Sequence, residues 1–311
     1  MIKKVVFLIS LTFILNYYSN LDAKTYRIGT ILEDEISFSK NVVLPLSSGK
    51  WEVVDRYTEG YAFLYFKGTT IAKVENNEIM EMISIERANT AGAVMGAIDS
   101  AINSIMFKDS HDGCYMRSEY LIVEVYKRGG THNCLVIRHY DTNKEIYTPD
   151  DPVGSRAKLK KWIKGNSVKI PPISFSSFHS YFSRLNRGEW YVINYLANPK
   201  IFNSPKINFT TEESSEFHKS NINRYPDHEM TMNKWISFSA RRHQYLEKVF
   251  NAKDNHLLSL NKHIIQNDIE EEKSAGKKNN IIEDLNKLNE LYKSGVLTEE
   301  EFKIAKEKIL N

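Results

Sequence analysis

Only two cysteines, Cys114 and Cys134, occur in the 311 residues, so the chain holds at most one internal disulfide. No cysteine follows the N-terminal apolar segment closely, which argues against a lipid anchor there. Charge of one sign is also scarce. The formal net charge is +3 and is spread along the chain, too little and too diffuse for a nucleic-acid partner. Beyond the first residues no apolar run reaches the roughly 20 residues a bilayer-spanning helix needs. No His, Asp and Ser stand in a recognised catalytic motif context. The sequence therefore specifies no reaction. What it does specify is a compartment, an architecture and a mode of self-association.

The apolar share of 41% and charged share of 26% are ordinary for a globular protein, so a sizeable core can form. The length exceeds that of one usual domain, which predicts a body plus an appendage. The first 23 residues have the three regions of an export signal. Lys3 and Lys4 are the positive start, 5–15 the apolar run, and Leu21-Asp22-Ala23 the cleavage-like end. Lys24 would then begin the mature chain, periplasmic or secreted. The alternative is an anchor that stays attached, but the run is short for that.

The mature chain opens with strand-like segments at 36–39, 41–46, 51–57, 61–66, 69–74 and 80–85. Ser47-Ser48-Gly49, Glu59-Gly60 and Asn76-Asn77 are the expected turns. The 17 tyrosines and 15 phenylalanines favour strands and aromatic packing. At Thr90 the period changes. Thr90 is a good N-cap, and Val94, Ile98, Ala101, Ile102 and Ile105 share one helical face, a helix expected to lie on the sheet.

A hairpin around the cysteines follows, with residues 120–126 and 134–137 as strands and Gly129-Gly130 as the turn. Three chemistries suit it. In an exported chain Cys114 and Cys134 read as a disulfide. That register sets Cys134 near Val125, so the Cys114 segment must fold back for the sulfurs to meet. The second reading is a zinc site using His111 and His132 with both cysteines. The third is a nucleophilic Cys134 with His132 or His139 as base. Cys134 and His139 differ in strand parity, which opposes it.

After the proline-bearing stretch 149–152, a short basic helix is expected, with Leu159, Trp162 and Ile163 among Arg156, Lys158, Lys160, Lys161 and Lys164, ending at Gly165. Its apolar stripe is read as facing the body; the alternative is an anionic membrane surface. A weak internal echo links 36–39 with 173–176 and 49–55 with 188–194, a possible duplication. Residues 198–222 read as loop. Asp227 is the expected cap of a helix to about Phe250, with Trp235, Phe238, Leu246 and Val249 on one side. Arg241, Arg242, Glu247 and Lys248 would lie on the other.

Residues 251–280 lose apolar character and read as a helical extension and a solvated linker. Beyond it, Ile281, Leu285, Leu288, Leu291 and Tyr292 mark one helical face, and Gly295 ends that helix. Thr298-Glu299-Glu300-Glu301 has the form of a capping box, and Phe302, Ala305, Ile309 and Leu310 form a second face. Two such helices make a hairpin that cannot bury both faces alone. The run Leu285-x-x-Leu288-x-x-Leu291, then 293–302 (KSGVLTEEEF), Lys306 and Ile309-Leu310 resembles the SHOCT module, a short C-terminal domain. Ile309 is a mild departure from that family's leucine. The resemblance implies an oligomerisation element and a bacterial source, and implies nothing of the body's activity.

The expected fold is α+β, an antiparallel sheet packed by helices and tied by a disulfide, with a C-terminal two-helix hairpin. The expected parts are a signal peptide at 1–23, a body at 24–250, the extension and linker at 251–280, and the hairpin at 281–311. The functional expectation is a non-enzymatic binding or interaction module of the cell envelope, with no cofactor, metal or nucleic acid. It would form homo-oligomers through Leu285, Leu288, Leu291, Phe302 and Leu310. The alternative is a periplasmic, hydrolase-like enzyme using His111, Asp112, His132, His139 and Asp141. A further alternative is an envelope-surface binder using the basic helix.

Overall fold

The computed structural model describes residues 25–39, 42–61, 64–89, 114–117, 119–128, 131–146, 156–183, 189–209 and 211–251, with seven positions between 288 and 305. The chain divides into two compact units, Met1–Asn261 and Lys262–Asn311. The signal-like segment, the helix expected at Thr90, the Gly129-Gly130 turn, the linker after Asn251 and Gly295 lie outside the described residues.

The first unit is mostly antiparallel sheet with few helices. Its strands are β1 (Ile31–Leu32), β2 (Glu35–Ser39), β3 (Val42–Pro45), β4 (Trp51–Tyr61), β5 (Leu64–Glu75), β6 (Glu78–Asn89), β7 (Ile122–Arg128), β8 (Thr131–Asp141), β9 (Ile173–Ser183) and β10 (Glu189–Ala197). Its α-helices are α1 (Thr142–Ile146), α2 (Ala157–Gly165) and α3 (Pro226–Asn251). Eight strands form one sheet in the order β1-β4-β5-β6-β10-β9-β8-β7, while β2 and β3 form a separate pair. The sheet is two meanders joined edge to edge where β6 pairs β10. Each face has its own cover. α3 lies on the face of Phe175, Tyr181, Tyr191 and Tyr195, packing Trp235, Phe238 and Phe250 against them. α2, from the β8–β9 connection, lies on the other face and buries Leu159 and Ile163 with Val54, Ala72, Met82 and Leu196.

Local chemistry explains most of these elements. The β5–β6 turn has Asn76 and Asn77 at φ of 51° and 62°, the left-handed pair a tight hairpin requires and Asn tolerates. The basic helix exists, and its apolar stripe faces the body as expected. Three expectations are corrected. Glu59-Gly60 is not a turn. Gly60 pairs Tyr65 and Glu59 pairs Phe66, so ladder bonds with β5 outweigh local turn preference. Asp227 is not the cap of α3, which starts one residue earlier at Pro226, a residue suited to the first helical position. Arg242 does not face water. It is buried, with its guanidinium 4.1 Å from the Tyr195 ring centroid. The aromatic sheet face takes up the long side chain and its charge together.

The duplication finds no support. β9 and β10 are neighbours, whereas β2 pairs β3 in the separate two-stranded sheet and β4 pairs β5 in the large one. Trp51 pairs Lys73 on the α3 side, while Trp190 packs on Phe66 on the α2 side. Matching tryptophans of a repeated unit would share a face.

Candidate functional site: a cleft between the sheet, helix α2 and the cysteine segment

A cleft of about 340 Å³ opens on the α2 face of the sheet. A single transverse row of the pleat makes its floor. Thr70 pairs Ser84, Ser84 pairs Asn194, Asn194 pairs Phe178, and Phe178 pairs Val136, crossing five strands. Direct antiparallel partners point the same way, so these side chains share one surface. Thr70 and Ser84 share a hydrogen bond of 2.9 Å. A polar row in central strands between apolar neighbours such as Met82 and Leu196 is unusual in a face covered by a helix.

A bulge supplies the first wall. Register slips between Val53 and Asp55, so Val53 pairs Ile71 on one face and Asp55 pairs Thr70 on the other. The extra residue re-aims everything after it. Tyr57 therefore points to the cleft instead of to α3. It lies across Gly68 and donates to Glu86 Oε1 at 2.7 Å. Burial, with Glu86 adding to it, pushes the Tyr57 hydroxyl far up, so it stays a donor.

The second wall is the start of α2. Leu159 and Arg156 line the cleft there. The Leu159 amide donates to Asp55 Oδ2 at 3.3 Å, and Lys158 Nζ donates to the Arg56 carbonyl at 2.7 Å. Burial pushes the carboxyls of Asp55 and Glu86 above the usual range, with the Arg156 charge acting the other way.

The third wall is the segment that begins at Cys114. Cys114 and Cys134 stand at disulfide distance, with Cα atoms 6.1 Å apart. Val125 pairs Cys134, as the hairpin register requires, so the Cys114 segment folds back over β8. There Cys114 and Tyr120 cluster with Cys134 and Val136. The Leu121 amide closes the segment by donating to the Ile137 carbonyl at 3.0 Å. Arg117 and Tyr120 are thereby held at the cleft rim. The Arg117 guanidinium is 4.4 Å from the Tyr115 ring and 5.6 Å from Tyr120. Arg138, rising from β8, lies 5.6 Å from Tyr120 and 5.0 Å from Tyr140.

Of the residues expected to carry chemistry, His132 meets the two cysteines, while His139 and Asp141 stand apart from it. His132 sits beside the cysteines, its Nε2 3.7 Å from Cys114 Sγ. Donor atoms of Cys114, His132 and Cys134 lie within 4.8 Å of one another. Sulfurs joined to each other have no thiolate to offer a metal. His139 lies on the opposite face, buried against Phe217, and its Nε2 donates to the Glu212 carbonyl at 3.1 Å. Burial lowers its pKa to about 4. Asp141 accepts the amides of Asn143 and Lys144 as the cap of α1. His111 and Asp112 lie outside the described residues.

Sequence reasoning missed Arg117, Arg138, Tyr57 and the Thr70–Ser84–Asn194 row. The available signal was Asn194 in Trp190-x-Val192-x-Asn194-x-Leu196, a polar residue at an otherwise apolar parity. A buried histidine pair, His179 and His243, was missed as well.

In the second unit Leu288 and Tyr292 are helical, as are Glu299, Glu301, Phe302 and Ala305. Leu288 is buried, and the rings of Tyr292 and Phe302 stack at 4.7 Å. Thr298 and Glu301 form the expected capping box. The Glu301 amide donates to Thr298 Oγ1 at 3.3 Å, and the Thr298 amide to Glu301 Oε2 at 2.9 Å. Leu285, Leu291 and Leu310 lie outside the described residues.

Residues 283–310 match the family model of SHOCT, the Short C-terminal domain, and no other family is recognised for the body. No curated protein and no solved structure matches the chain. Among the described residues no helix is long and apolar enough to cross a membrane. A cysteine pair at disulfide distance belongs to an oxidising, non-cytoplasmic compartment.

Proposed function

We propose that the chain is an exported bacterial binding protein. Its body carries a ligand cleft, and its C-terminal segment, as a two-helix SHOCT hairpin, gathers several bodies into a homo-oligomer in the periplasm or outside the cell. Gathering copies raises avidity for whatever the clefts bind without any new contact. The observation that carries the binding reading is the lining of the cleft. It combines hydroxyls, one amide, aromatic rings and arginines, while the carboxyls of Asp55 and Glu86 stand behind it, bonded to the Leu159 amide and the Tyr57 hydroxyl. Such a lining recognises and orients. The disulfide between Cys114 and Cys134 is assigned a structural role, holding one wall of that cleft.

Native mass spectrometry of the protein exported into a bacterial periplasm tests this reading. The expected result is a multimer that becomes monomeric when residues 281–311 are deleted, with a mass lower by two hydrogens than the reduced chain. A monomer at every concentration, with the tail intact, overturns the assembly part. A thiol-bearing mass overturns the disulfide.

A further inference from the structure

We propose that the cleft on the α2 face binds a small organic oxyanion, a carboxylate or phosphate carried on a compact apolar or aromatic body. This deepens the reading of the body as a binding domain and rests on it.

The charge pattern is the first argument. Arg117, Arg138 and Arg156 come from three separate segments and are the charged residues among the described lining; all three are positive. Bringing like charges to one water-accessible concavity costs energy unless an anion is there to meet them. The acids that feel these charges stand outside the described lining: Glu119 reaches Arg117 at 3.9 Å, Glu212 feels Arg138, and Asp55 and Glu86 feel Arg156.

Arg138 is the second argument. Its guanidinium lies over the rings of Tyr120 and Tyr140 at 5.6 and 5.0 Å, and among the described residues it makes no hydrogen bond or ion pair. Cation–π contact with two rings restricts the guanidinium while leaving N–H donors available. That is the preorganised fork that carboxylate and phosphate oxygens fit. Arg117 lies against the same Tyr120 ring at the same 5.6 Å, so both cations serve one location.

The floor and the size set the rest of the ligand. Asn194 and the Thr70–Ser84 hydroxyls offer neutral hydrogen bonds, while Phe178 and Leu196 offer apolar contact. A volume of about 340 Å³ is at the small end of small-molecule sites. It suits a single-ring anion and is too small for a folded polymer.

Isothermal titration calorimetry on the full chain tests the proposal. The probes are phenyl phosphate and benzoate, with benzyl alcohol and benzylamine as neutral and cationic controls of similar shape. The expected result is saturable binding of at least one anion, weakened about tenfold or more in Arg138→Gln and in Arg117→Gln. Lys161→Gln, an exposed change away from the cleft, leaves it unaltered. A preference between the two anions identifies phosphoester or carboxylate as the natural group. Arg117 is partly exposed, so its variant keeps the test open even where Arg138→Gln fails to fold. No binding of either anion at millimolar concentration by folded protein overturns the proposal. Equal binding of benzylamine, or affinity unchanged in both arginine variants, does so too. An oligomer that binds no anion removes this inference alone; a monomer that binds one removes only the assembly reading.

Discussion

The Nδ1 atoms of His179, on β9, and His243, on α3, face each other at 3.0 Å, with their rings stacked 5.3 Å apart. One must donate and the other accept, so the pair cannot hold two protons on those atoms. Burial lowers both, His243 to about 4 and His179 well below the ordinary value, and the Arg242 charge beside His179 acts the same way. His139, elsewhere on this face, is likewise lowered to about 4 by burial.

Acid should therefore loosen the α3 face. The unfolded chain takes protons on these histidines near pH 6.5, while the folded chain resists until about 4. Stability is present in full above 6.5 and is lost as pH falls through that window. Each histidine contributes a slope of at most about 1.4 kcal/mol per pH unit there. Tm measured from pH 7 downward should fall, and His243→Gln should flatten the fall. An unchanged slope in the variant would show that the pair does not carry it.

The cysteine pair closes a stretch of sequence separation 20. Loop-closure entropy assigns it about 3 kcal/mol. Cys114→Ser and Cys134→Ser should each lower urea-unfolding stability by about that amount. Hydrogen exchange should also quicken in residues 114–121, whose Leu121 amide is held by Ile137. Protection in that segment that survives reduction would assign its order to packing alone.

Gly68 exists for Tyr57. A Cβ placed there would stand 2.3 Å from the tyrosine ring. Gly68→Ala should cost about 1–3 kcal/mol and drive Tyr57 off Glu86. Adding Tyr57→Ala should recover part of that cost in a double-mutant cycle. Additive costs would show the clash is relieved some other way.

Thr298 should govern the helix that follows it. Thr298→Ala removes the Oγ1 that accepts the Glu301 amide. Exchange of that amide should rise about fivefold, and Thr298→Ser should restore it. Equal rates in both variants would mean that the box contributes nothing.

Individual residues show how far the sequence could be read. The hairpin of β7 and β8 was legible because β-branched alternation is a local signal, and its register followed from the turn. The capping box was legible because its partners are three residues apart. Glu59-Gly60 shows the opposite: a glycine's local turn preference yields to the strand that pairs it. A helix's charged face is usually wet, which alone puts Arg242 in water; the aromatic surface of β10 takes it inside.

The cleft belongs entirely to this second class. Thr70, Ser84 and Asn194 are far apart in the chain and become one row only through strand order and register. The Val53–Asp55 slip, one residue long, decides which face Tyr57 takes. Most strands, the covering helices α2 and α3 and the C-terminal family match are readable locally, because periodicity and caps act over a few residues. That Arg117 and Arg138 share one tyrosine ring, and that His132 and His139 lie on opposite faces, follows from the assembled sheet. Pairing order and pleat parity act across the whole sheet.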